Sequence, residues 1–157
     1  MGAQGLTRQR LTFLVAGVVV VLDQLTKAWA VSALADERIT VIEGFLEFRL
    51  TRNTGAAFSS FQGLGPLIAI LAVGVVGWIT MMLRGNPRPL EAWALALVLG
   101  GALGNLLDRI VRGDGFLDGA VIDFIDLWFI PTFNIADMAI TFGAGLLLLA
   151  ALLSERS

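Results

Sequence analysis

The sequence predicts a mainly α-helical membrane protein: a four-transmembrane-helix bundle carrying a small extracytoplasmic antiparallel β-sheet. Composition is the first reason, because 57% of the 157 residues are hydrophobic and 15% charged, against roughly 45–50% and about 25% in soluble domains. Patterning is the second. The apolar residues gather into stretches of about the 20 residues that a bilayer requires, and one region between them switches to the two-residue alternation of a strand. At this length a single domain over residues 1–157 is the natural count.

The first stretch runs from Leu11 to Val31. Arg8, Arg10, the apolar run and Ala33-Leu34-Ala35 imitate a cleavable signal peptide. Asp23 and Lys27, however, stand at the i, i+4 spacing of an intrahelical ion pair, which suits a retained span. Next, Leu46, Phe48 and Leu50 alternate with Glu47, Arg49 and Thr51, while Ile39 and Val41 repeat the pattern around Thr40. With Gly44 as the turn, Asp36 to Phe61 reads as a small antiparallel sheet outside the membrane. It ends in Asn53-Thr54-Gly55-Ala56-Ala57-Phe58-Ser59, a small-residue turn past which a backbone could run closely. Such a sheet could cradle an extended peptide by strand addition.

The remaining spans run from Leu64 to Leu83, Leu90 to Val111 and Phe133 to Leu153. Gly100 and Gly104 give the third span the GxxxG spacing that lets membrane helices approach. Asp114 and Asp118, in the glycine-rich loop Gly113 to Gly119, read as solvated turn residues. Trp128, Phe129 and Phe133 read as interfacial aromatics, with Trp128 a candidate border of a groove.

The polar interruptions decide where chemistry could occur. Asp23, Gln24 and Lys27 come late in the first span, Asn105, Asp108 and Arg109 late in the third, and Asn134 and Asp137 early in the fourth. Because the fourth span runs opposite to the first and third, all of them converge on one face of the membrane. Arg8 and Arg10, with the Arg84-Gly85-Asn86-Pro87-Arg88 connection, favour cytoplasmic termini. The polar layer then lies towards the outer face of the plasma membrane.

No histidine or cysteine is present, so Ser-His-Asp and Cys-His machinery, thiolate metal sites and disulfides are excluded. A net charge of −2 offers no basic field for nucleic acid. Acid–base chemistry therefore falls to carboxylates, and ionisable groups within apolar segments are read first as functional. Asp123 and Asp137 are the leading pair, with Asp126 an equal rival to Asp123 on composition alone. Asp108-Arg109 can be read as an ion pair closing a helix end, or Arg109 as a holder of a substrate carbonyl. A small proton-coupled transporter would also bury such acids, although no inverted repeat is visible. A lipid-processing phosphotransferase would need acids clustered around a divalent cation. Proteoliposome flux and chelator sensitivity separate those readings from a metal-free hydrolase.

Five blocks in order resemble the lipoprotein signal peptidases, or signal peptidase II. They are Asp23-Gln24-Leu25-Thr26-Lys27, the Asn53 to Ser59 turn, Gly100 to Arg109, Val121-Ile122-Asp123-Phe124 and Phe133-Asn134-Ile135-Ala136-Asp137. The resemblance implies a four-span aspartic endopeptidase of the bacterial plasma membrane, without metal or other cofactor. It would remove the signal peptide of a prolipoprotein by cutting before a diacylglyceryl-modified cysteine. It further implies Asp123 and Asp137 as the catalytic pair, with Asn53, Asn105, Asp108, Arg109 and Asn134 lining or supporting the site and Asp23 and Lys27 below. Prolipoproteins and membrane lipids are the implied partners and globomycin an implied inhibitor; the expected state is a monomer.

Overall fold

A computed structural model describes residues 3–55 and 65–154 of the chain. The end of the Asn53 to Ser59 block, and the Phe61 and Leu64 boundaries, lie outside the described residues. The order of elements is α1 (Ala3–Ala33), β1 (Ile39–Ile42), β2 (Leu46–Asn53), α2 (Gly65–Arg84), α3 (Pro89–Val111), β3 (Val121–Leu127), β4 (Ile130–Phe133) and α4 (Ile135–Ser154). All four helices are long and apolar enough to cross a membrane.

The third helix is the hub. It packs against the other three and is the most buried of them. Its glycines explain how. A Cβ at Gly100 would come within 2.7 Å of the Val19 Cβ on α1, and one at Gly104 within 2.6 Å of the Asp23 carboxylate. Missing side chains therefore set the helix spacing, as the GxxxG pattern predicts. Pro89 opens α3, and Glu91 accepts a hydrogen bond from the Arg88 backbone N–H at 3.1 Å, closing its first turn. On α2, Leu67, Leu71, Trp78 and Met81 remain more than half exposed, leaving an apolar surface for lipid.

The sheet is larger than its sequence suggests. Its strands are ordered β1-β2-β3-β4, all antiparallel, so the hairpin read at Asp36 to Phe61 is half of a four-stranded sheet. The second half comes from β3 and β4, with Asn53 opposite Val121 and Thr51 opposite Asp123. Asp123 consequently lies on a strand, outside the spans. Trp29 near the end of α1 meets Phe48 and Phe124 edge-on, at centroid distances of 5.7 and 6.0 Å. Ile122 and Phe124 bury against Ala30 and Leu34, so the sheet is clamped to α1 beside the polar layer.

Candidate active site

The sequence-predicted polar residues come together in two tiers. The lower tier joins α1 and α3. Lys27 Nζ lies 2.7 Å from Asp23 Oδ2 and 2.8 Å from Asp108 Oδ2, with all three side chains fully buried. Arg112 adds a second cation, its Nε donating to Asp108 Oδ1 at 2.7 Å. Main-chain donors complete the tier, Ala136 N–H to Asp23 at 2.9 Å and Ile122 N–H to Asp108 at 3.1 Å. These acids therefore tie α1 and α3 to the start of α4 and to β3.

The upper tier holds the two leading acids. Asp137 sits in the first turn of α4, where Asn134 is the N-cap. The Asn134 N–H donates to Asp137 Oδ2 at 3.2 Å, and the Asp137 N–H donates to Asn134 Oδ1 at 2.9 Å. This is a reciprocal capping box built from Asn and Asp. Asn134 Nδ2 also lies 2.7 Å from Asp123 Oδ1 as a donor, so one fully buried residue meets the Asp123 carboxyl with its side chain and the Asp137 carboxyl with its main-chain N–H. Asn53 Nδ2 donates to Asp123 Oδ2 at 3.2 Å, and Asn105 Nδ2 to Asp137 Oδ1 at 2.8 Å. Among the described residues no cation forms a salt bridge with Asp123 or Asp137. Burial above all, and then the negative charge of Asp137, pushes the Asp123 carboxyl up to about 7, against the lowering effect of the Asn53 and Asn134 hydrogen bonds.

Both acids face a cavity of about 560 Å³ between α2, α3, α4 and the sheet. Its polar end carries Asn53, Asn105, Arg109, Asp123 and Asp137, while Ile68, Val75, Val98 and Ile140 line an apolar part. Such a space accepts a ligand with one polar and one aliphatic portion.

At three residues the structure decides between the readings the sequence left open. Arg109 forms no ion pair with Asp108, which is occupied by Lys27 and Arg112. Its Nη2 instead donates to the Gly55 carbonyl at 2.8 Å, and its buried Nη1 has no hydrogen-bond partner among the described residues. Asp126 pairs with Arg49 at 2.5 Å on the strand surface and is absent from the cavity lining, which separates it from Asp123. Trp128 is 73% exposed and stacks edge-on against Phe129; Phe133, not Trp128, lines the cavity. Sequence reasoning gave no role to Arg112, whose i, i+4 spacing from Asp108 was the available signal. Gln24 was likewise left without a role, although its amide reaches the Gly104 carbonyl at 3.1 Å and both lower-tier acids.

The sequence profile described as signal peptidase (SPase) II matches residues 15–153. The chain belongs to the signal peptidase II family. A lipoprotein signal peptidase of Rhodococcus jostii is 44% identical over 96% of this chain and 77% of its own length. One from Mycolicibacterium smegmatis is 42% identical over 96% of this chain and 64% of its own. A solved bacterial membrane enzyme, determined by the in meso method at 2.3 Å resolution, superposes with a TM-score of 0.81 at 31% identity, covering 94% of this chain and 90% of that one. Signal peptidase II membership makes the protein a multi-pass membrane peptidase. The carrier and phosphotransferase readings therefore give way to hydrolysis.

Proposed function

We propose that the protein is an aspartic endopeptidase that removes signal peptides from diacylglyceryl-modified prolipoproteins, cutting before the lipidated cysteine, with spans and sheet acting as one domain. The observation that carries this reading is two carboxyl groups on different elements, facing one cavity and held by amide donors with no cation paired to either among the described residues. When two such acids feel each other's charge they share one proton. The ionised member takes a proton from a water as it attacks the scissile carbonyl, and the protonated member donates to the developing oxyanion. Neither a metal nor a covalent nucleophile is needed.

Substrate binding follows from the lining. Arg109 keeps a donor free at the polar end, suited to a main-chain carbonyl of the substrate. The apolar part suits acyl chains, which contribute about 0.8 kcal/mol per buried CH₂. The arginine distribution supports cytoplasmic termini and an outward-facing site. A monomer is sufficient for this chemistry, and globomycin is proposed to occupy the same cavity.

The test is cleavage of a diacylglyceryl-modified prolipoprotein in detergent or proteoliposomes by the wild type and by Asp123→Asn and Asp137→Asn. Both variants are expected to lose cleavage, and a chelator is expected to leave the wild type unaffected. Full activity in either variant, or abolition by chelation, overturns the metal-free dyad.

A further inference from the structure

One hydrogen-bonded path between the two tiers runs from Lys27 to Asn105 to the Asp137 carboxylate. Lys27 Nζ lies 2.9 Å from Asn105 Oδ1, and Asn105 Nδ2 lies 2.8 Å from Asp137 Oδ1. An ammonium group has three donors and no acceptor. Those of Lys27 meet Asp23, Asp108 and Asn105, so its hydrogen-bonding capacity is filled by partners on α1 and α3. An amide facing an ammonium must present its oxygen. Asn134 Nδ2, 3.1 Å from the same oxygen, enforces that orientation from the α4 side. The NH₂ of Asn105 is therefore obliged to point at Asp137. An Asn side chain with free choice could turn its oxygen there instead, where only a protonated acid would pair with it.

From this geometry we infer that Lys27 is a positioning residue which, acting through the amide of Asn105, assigns the shared proton: Asp137 is held ionised as the base and Asp123 carries the proton. This inference rests on the aspartic dyad proposed above and goes beyond it by giving the two acids distinct roles. Each acid accepts on both oxygens, Asp123 from Asn53 and Asn134 and Asp137 from Asn105 and the Asn134 main chain, so two other features distinguish them. Asp137 stands in the first turn of α4, where the helix dipole favours negative charge. Asp123 is the more deeply buried acid, at 3% exposure, and burial disfavours its charged form. The charged groups around Asp137 from the other elements are Asp123 on β3, Arg109 and Asp108 on α3, and Asp23 and Lys27 on α1. Among the described residues Lys27 is the cation of this set that reaches the Asp137 carboxylate through one intervening side chain.

The test uses full-length protein in detergent and a readout that needs no substrate. Carboxyl-carbon NMR shifts, assigned with single Asp→Asn variants, report which acid is protonated at neutral pH. The wild type is expected to show Asp123 as the acid and Asp137 as the carboxylate. In Lys27→Met combined with Asp23→Asn, which keeps the buried tier neutral, the assignment is expected to blur or invert. In that variant kcat should fall about 10²-fold, the low end of the range for general acid–base catalysis, with KM unmoved. In an Asn105→Leu background the same pair of substitutions should add nothing further, because residues acting through one another are not additive. Should the double variant fail to fold, Asn105→Leu alone, which retains the ion pairs, must produce the same shift change. A protonated Asp137 in the wild type, an unaltered proton assignment in Asn105→Leu, or full additivity overturns the inference. Those outcomes leave the dyad standing, whereas an active Asp137→Asn enzyme removes the dyad itself.

Discussion

The two tiers use the same side chain in opposite ways. In the lower tier Asp23 and Asp108 meet Lys27 and Arg112, so acids and bases balance and no proton has reason to move. In the upper tier Asp123 and Asp137 meet only Asn53, Asn105, Asn134 and main-chain donors among the described residues. Amides orient a carboxyl group without cancelling its charge. Ion-paired acids in a buried layer fix helices in place, and removing one partner leaves a costly charge. Acids held by neutral donors, close enough to feel each other, keep a transferable proton. The contrast separates scaffold from machinery more sharply than burial does, since three of these four acids are buried.

The contrast breaks most visibly at the dyad. Asp123→Asn and Asp137→Asn should each reduce cleavage by about 10²- to 10⁴-fold while melting close to the wild type in detergent. Lys27→Met alone should behave in the reverse order, costing roughly 3–5 kcal/mol of stability because two buried carboxylates lose their shared cation. Thermal unfolding checks it, and a stable Lys27→Met protein would dissolve the distinction between tiers. A pH series sharpens the comparison. With Asp123 raised from 3.8 to about 7 in the folded state, its contribution to stability is present below the unfolded value and is lost as pH rises through about 7. Asp123→Asn should therefore gain stability relative to the wild type above that pH, and wild-type cleavage should fall there as the proton donor is lost. The smallest effect belongs to Asp126→Asn. It breaks only a partly exposed pair with Arg49, worth about 1 kcal/mol or less, and cleavage should stay at the wild-type rate.

The helices were legible because hydropathy and length alone define spans: Gly65–Arg84 and Pro89–Val111 fall within a residue of the expected bounds, whereas α1 begins at Ala3, well before the expected Leu11, because a helix continues through polar residues that hydropathy does not count. The convergence of Asp23, Lys27, Asn105, Asp108, Asn134 and Asp137 was legible too, because alternating span direction converts sequence position into depth. Strand β3 was not. Val-Ile-Asp-Phe-Ile-Asp-Leu has acids three residues apart rather than alternating, and its partner strand lies some 70 positions earlier, as in the Asn53 to Asp123 bond. The choice between Asp123 and Asp126 needed tertiary contacts for the same reason. Of the two readings of Arg109 the ion pair with Asp108 fails, because adjacent residues on a helix point about 100° apart and Asp108 is met by Lys27 and Arg112 instead.

Asn134 closes the first turn of α4 by accepting from the Asp137 main-chain N–H and, with the same side-chain amide, holds the Asp123 carboxyl. For the proposed dyad, catalytic competence and the integrity of that helix end are thereby coupled. Fraying by one turn would release Asp137 and loosen Asp123 together, leaving no partially assembled centre to hydrolyse bystander peptides. Whatever motion admits a substrate must then spare this turn and be borne by other walls of the cavity.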